Sequence, residues 1–309
     1  MSELDGLAPA IVAWCERELG GKPIERLFAA TGMSSVTGVR LDNGLSVVIK
    51  SRPEESGRTE ACVAVQRALA ETGFPCARPL TGVSVIGGNA VNAEEWRPGG
   101  EMLRGDGPEV AVKFGALLAR LIDGARLIQV RPPLPNPIWV RWDHREPGNW
   151  PVYEQPGPLA DQIALPDYIE DTARRVRGRL SRADLPCVIG HADWETQNLR
   201  WQGAEPYAVH DWDSLAWQPE AAIAGAAAGA FASAEQPTLA PVESSAAFLE
   251  AYQAARGHAF EAEEIEVAWA ASLWPALHNS RGELHWGVEP IANRALADQA
   301  ATRLVRAGA

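Results

Sequence analysis

Two short stretches hold most of the groups that can do chemistry. HADWETQN (191–198) carries His191, Asp193, Glu195 and Asn198, and VHDWDS (209–214) adds His210, Asp211 and Asp213. Each begins at the end of a short apolar run, where a strand would deliver polar side chains to a pocket. A carboxylate beside an attacking hydroxyl can orient it and take its proton, which suits Asp193. Hard divalent cations take oxygen ligands; Asn198 offers an amide oxygen without added charge, and Asp211 offers a carboxylate. A catalytic loop followed by two short strands can set all three on one side of a pocket.

Such groups work only when held in register, and the elements around them can be read. Residues 8–19 form an amphipathic pattern stopped by Gly20 and Gly21. IERLFAATGMSSVTGVRLDNGLSVVIKSRP (24–53) reads as two or three strands, with a Gly/Ser turn at 31–35 and Asp42-Asn43-Gly44 as a hairpin signal. In 57–74, Cys62, Val65 and Leu69 recur at helical spacing before Gly73 and Pro75 close the segment. Residues 79–100 read as a second hairpin running into a Pro/Gly-rich link.

Beyond the link the texture changes. Phe114, Leu117, Leu118, Leu121 and Ile122 make one helical stripe within 110–128. Residues 131–165, rich in proline and tryptophan, read as an irregular excursion suited to covering a substrate. A helix is expected at 166–180, AAIAGAAAGAFA (221–232) is a small-residue helix suited to close packing, and 243–256, 260–278 and 288–307 read as helical. The expected fold class is α+β: a small β-rich lobe over 1–97, a larger mainly helical lobe over 98–309, and a ligand cleft between them.

Composition narrows the partners. The 309 residues carry 28 basic and 40 acidic side chains, a formal charge of −12. That balance argues against nucleic acid as a partner and suits a cationic small molecule, although acidity also serves solubility. Cys15, Cys62, Cys76 and Cys187 are scattered without a C-x-x-C pair, as reduced thiols of a cytoplasmic protein would be. No apolar run approaches the ~18 residues of a membrane span, and no secretory signal is indicated, so a cytoplasmic protein without a membrane partner is expected.

Together these features resemble the aminoglycoside phosphotransferase family, small-molecule kinases with a protein-kinase-like, two-lobed fold. HADWETQN matches the family's H-G-D-x-x-x-x-N loop, and VHDWDS its I-D-W-[DE] segment, over a correspondence spanning roughly 24–232. The resemblance implies ATP and Mg2+ as cofactors, with the γ-phosphoryl group passed to a hydroxyl of a small, amine-bearing molecule such as an aminoglycoside-like antibiotic, amino sugar or amino alcohol. It implies Asp193 as the base, Asn198 and Asp211 as metal ligands, and Lys50, ending VVIK, as the clamp on the phosphates. Gly32, Ser34 and Ser35 would lie in the nucleotide-covering loop. Glu60 would pair with Lys50, with Glu54 and Glu55 as nearby acids, and EEWRPGG, holding Glu95 and Trp96, would be the hinge that meets adenine. His191 would support the loop, and Asp213 would bind metal or an ammonium group or anchor the loop. Ala192 departs from the family's glycine, EAAIAGAAAGA lacks its D-L-A acid, and Ile122-Asp123 stands where L-H is usual.

Two other readings stay open at this stage. His191, His210 and Asp211 suggest a metal-dependent phosphohydrolase, which leaves Lys50 unexplained. A nucleotide-binding protein without transfer activity is the other. Plainer roles are expected for several residues: a strand position for His210, core packing for Trp194, Trp212 and Trp217, and solvated surfaces for Glu195, Glu220, Arg174, Arg175, Arg177 and Arg179.

Overall fold

The computed structural model describes residues 7–32, 34–53, 57–152 and 165–309. Helix α1 (Pro9–Leu19) ends at Gly20, and three strands follow: β1 (Pro23–Thr31), β2 (Ser35–Leu41) and β3 (Ser46–Pro53). After helix α2 (Arg58–Glu71), β4 (Ser84–Ile86) and β5 (Asn89–Glu95) complete an antiparallel sheet in the order β1-β2-β3-β5-β4. Alternation buries Val39, Leu41, Val47, Ile49, Val91 and Ala93 on one face, where Trp14 of α1 covers them. The opposite face of β3 carries Lys50 and Arg52, two residues apart and both buried.

The larger region begins with α3 (Pro108–Arg126), whose predicted stripe from Phe114 to Ile122 is buried. It continues with α4 (Asp167–Arg182), then β6 (Cys187–His191), β7 (Leu199–Gln202), β8 (Glu205–Val209) and β9 (Leu215–Pro219). β6 pairs with β9 and β7 with β8, so two nested antiparallel pairs frame the loops 192–198 and 210–214. Helices α5 (Glu220–Ala230) and α6 (Val242–Arg256) follow. α5 is buried along its whole length, as its small residues predict. A Cβ added at Gly225 would lie 2.0 Å from the backbone oxygen of Ala268, so only glycine allows this approach.

Two expectations are corrected here. Residues 260–278 form two helices, α7 (Ala262–Ala271) and α8 (Trp274–Trp286), because Pro275 sits in the first turn of α8 and has no N–H to continue from α7. Helix α9 (Ile291–Arg306) closes the chain. The basic run on α4 is not simply a solvated face: Arg177 donates to the carbonyls of Trp142, His144 and Gly148, and buried Arg179 pairs with Glu266 at 2.9 Å. Arg177 thereby fastens the excursion, which contains a single 3-10 turn at Ile138–Val140 among its described residues. Its part over 153–164 lies outside the described residues. All four cysteines are free.

Candidate active site

β6 delivers His191 and the loop behind it, while β8 delivers His210 and the loop that returns as β9. The loops are stitched together by backbone bonds from Ala192 N to Ser214 O (2.8 Å) and from His210 N to Asn198 O (2.8 Å). His191 adds a third tie. Its Nε2 lies 3.0 Å from the His210 carbonyl and its Nδ1 accepts the Asp193 amide at 3.2 Å, which fixes the Nε2–H tautomer. Burial lowers the affinity of this imidazole for a second proton. Both ring nitrogens are engaged by the two loops, so neither is open to a metal. The phosphohydrolase reading loses its first ligand.

Asp193, Asn198 and Asp211 converge. Asn198 Nδ2 donates to Asp193 Oδ2 at 2.7 Å and to the Asp193 carbonyl at 2.9 Å, which leaves its amide oxygen out of that contact. Burial, then the neighbouring Asp211 carboxylate, push Asp193 up to about 7. Asp211 has φ 58° and ψ 52°, the only described non-glycine residue with positive φ, and its carboxylate accepts the Ser214 hydroxyl. Such a conformation stores on the order of 1 kcal/mol and persists where the surroundings require it. Two carboxylates this close, with an amide oxygen beside them, form a donor set fit for a hard divalent cation.

The β3 residues complete the cluster. Lys50 Nζ lies 3.2 Å from Glu94 Oε2, with both side chains under 10% exposed. Burial works against the ammonium charge, but Glu94, Asp213 and Asp211 outweigh it and hold Lys50 above its ordinary value. Glu94 is held in turn by Gln66 of α2, whose Nε2 donates to Oε2 at 2.8 Å. Arg52 Nη2 donates to Asn92 Oδ1 (2.8 Å) and pairs with Asp213 Oδ1 (2.9 Å), which makes Asp213 an anchor between the loop and the sheet. His210, half-buried beside Lys50 and Glu94, is lowered to about 4 mainly by burial and stays neutral.

Not every expected residue joins this group. Glu60 is exposed in the first turn of α2, with its Oε2 about 4.0 Å from where a Cβ on Gly57 would stand, and Lys50 takes Glu94 instead. The reason is helical register: Glu60 lies opposite the stripe of Cys62, Val65, Gln66 and Leu69 that faces inward. Glu54 and Glu55 lie outside the described residues. In the segment expected to be the hinge, Glu95 turns outward to Arg78 (3.0 Å), and Trp96 is half-buried. Gly32 and Ser35 are exposed and Ser34 half-buried at the β1–β2 connection, where Gly32 N donates to Ser34 O at 3.0 Å.

Glu195 and Glu220 are not solvated acids. Glu195 is 8% exposed, bound by Gln197 at 2.8 Å, and raised by burial first and by Asp193 second. Glu220 is equally buried and ties together Arg126, Tyr252 and Arg256 where α3, α5 and α6 meet. Trp194 and Trp212 are core residues whose indoles donate to Phe114 O (3.1 Å) and Val209 O (3.0 Å). From the excursion, half-buried Trp139 donates to Ala192 O at 3.1 Å and so stands beside the 192–198 loop.

Comparison with known proteins bears on the family and the fold. A model described as the phosphotransferase enzyme family matches residues 30–261. Among solved structures, amicoumacin kinase hAmiN in complex with AMP-PNP, Ca2+ and Ami superposes with a TM-score of 0.63 at 15% identity, covering 93% of this chain and 87% of that one. Spectinomycin phosphotransferase APH(9)-Ia, in complex with ADP and spectinomycin, gives a TM-score of 0.56 at 10% identity, covering 97% and 94%. An aminoglycoside phosphotransferase from Alicyclobacillus acidocaldarius gives 0.57 at 15% identity, covering 97% and 94%. These likenesses show a kinase-like α+β fold. Among curated protein sequences nothing matches.

Proposed function

The chain belongs to the phosphotransferase enzyme family, and we propose that it moves the γ-phosphoryl group of ATP, with Mg2+, to a hydroxyl of a small cationic molecule. Phosphoryl transfer to a small-molecule hydroxyl follows from the family. The observation that carries the finer reading is the convergence of Asp193, Asn198 and Asp211 in the two loops stitched below Lys50.

Each residue has a physical task in this reading. Lys50, charged and fixed by Glu94, holds the phosphates. Asn198 and Asp211 hold the cation. When bound, that cation would neutralise charge on the phosphate oxygens. Asp193 orients the acceptor hydroxyl and takes its proton, and a carboxyl near 7 is well matched to that exchange at neutral pH. Gly32, Ser34 and Ser35 cover the nucleotide, and the backbone at Glu95 and Trp96 meets its base. The net charge of −12 supports an amine-bearing acceptor.

Screening hydroxylated amines for ATP consumption, and locating the phosphate on the product, tests the reading. Turnover with at least one such acceptor, lost in Asp193→Asn, is expected. Nucleotide binding without turnover across the panel would favour a binding protein, and full activity in Asp193→Asn would remove Asp193 from its role.

A further inference from the structure

Arg58, the first residue of α2, spends all four of its Nη hydrogens on backbone carbonyls from two distant segments. Nη1 donates to Pro135 O at 2.8 Å and to Pro133 O. Nη2 donates to Asp213 O at 2.7 Å and to Leu215 O at 2.6 Å. One guanidinium thus joins the nucleotide-lobe helix, the start of the excursion and the loop that carries Asp211. Within that loop the Asp211 carbonyl accepts Ser214 N at 3.0 Å and the Ser214 carbonyl accepts Ala192 N at 2.8 Å. Arg58 supplies the donors for the carbonyls of Asp213 and Leu215, so the turn that holds Asp211 in its left-handed conformation is braced from both sides.

We propose that Arg58 is a positioning residue for the metal-binding loop, coupling the seat of the cation to helix α2 and to the 133–135 segment. This rests on the assignment of Asp211 to the metal made above. A planar fork is required, because a lysine has one nitrogen and cannot reach four carbonyls in two directions. The role is distinct from that of a Lys50 counter-ion, since among the described residues Arg58 donates to main-chain carbonyls.

The test measures binding of a non-hydrolysable ATP analogue to the intact protein as Mg2+ is varied, in wild type, Arg58→Lys and Arg58→Gln. Expected is a roughly tenfold or larger rise in the Mg2+ concentration for half-saturation in both variants, with binding of the analogue without Mg2+ changed less than about threefold. In metal-free protein, amide exchange at Trp212–Leu215 is expected to quicken while α5 stays protected. A merely structural arginine would lower the melting temperature and leave the Mg2+ requirement of the folded protein unmoved, and that result would overturn the proposal. Should neither variant fold, wild-type exchange decides: Mg2+ and the analogue together are expected to protect Leu134 and the first turn of α2 as well as 211–215, and protection confined to 211–215 would refute the coupling. A wild type that binds no analogue with Mg2+ would instead sink the reading of the site, and the metal-free exchange comparison would still judge the clasp.

Discussion

Lys50 and Glu94 face each other across adjacent strands at 3.2 Å, because β3 and β5 pair Lys50 with Asn92 and alternation brings Glu94 to the same face two residues on. The acid expected from helix α2 is supplied by the sheet. Glu94→Gln is therefore expected to reduce kcat/KM for the nucleotide by about 10- to 100-fold, as one removes a charge from a buried pair, whereas Glu60→Ala is expected to stay within about twofold. Steady-state kinetics of both variants checks this, and a large defect in Glu60→Ala alone would reverse the assignment.

Asp193 should trade stability for chemistry. Its folded affinity for protons is raised to about 7, above the value near 3.9 of an unfolded aspartate. Between these values the folded chain binds the extra proton, so this group's contribution makes the metal-free protein less stable as pH rises from about 4 to 7. Removing the charge is expected to stabilise the metal-free protein at pH 8, by an amount on the order of 1–4 kcal/mol, while turnover falls at least ~100-fold. Urea denaturation of wild type and Asp193→Asn at pH 5 and pH 8 gives the comparison, and an equal difference at both pH values would contradict it.

Asp211→Asn separates the cation from the nucleotide. In wild type, saturating Mg2+ and ATP together should raise the melting temperature by ~5 °C relative to chelator, in line with about 2.7 kcal/mol at a hundredfold excess over Kd. The variant is expected to lose most of this increment while keeping its own unliganded melting point or gaining slightly, because carboxylate repulsion against Asp193 is relieved. Differential scanning calorimetry reads both quantities.

Packing of α5 against α7 makes a prediction away from the chemistry. The Cβ of Gly225→Ala would meet the Ala268 carbonyl at 2.0 Å, a backbone atom that cannot rotate aside. A loss of about 1–3 kcal/mol is expected from overpacking, seen as a lower denaturant midpoint with an unchanged Mg2+ requirement.

Much of the scaffold could be read from local pattern. Short apolar runs bounded by turn residues placed the strands, and glycines and prolines marked most ends. The two-helix break at Ser272-Leu273 was hidden because the apolar pattern runs across it. In the site, Asp193, Asn198 and Asp211 were legible because their chemistry and their spacing lie within two short stretches. Glu94 was not, since its partnership depends on which strands pair and in what register, and nothing local encodes that. Arg52 had a readable signal, two residues beyond Lys50 on the same strand face. Glu60 also carried a warning, in its position opposite the inward stripe of α2. Glu195 looked like a surface acid until the fold turned its loop inward, and the ties made by Arg58 join residues more than 70 positions apart.

The backbone at Asp211 sets two filters on one codon. A left-handed conformation admits glycine, asparagine and aspartate at low cost and resists larger or branched side chains. In the proposed metal site this position also supplies negative charge, which glutamate could bring on a longer arm. Asparagine would keep the fold of the turn and an oxygen donor but give up the charge, so in the proposed site aspartate alone unites a low-cost backbone with a negative ligand.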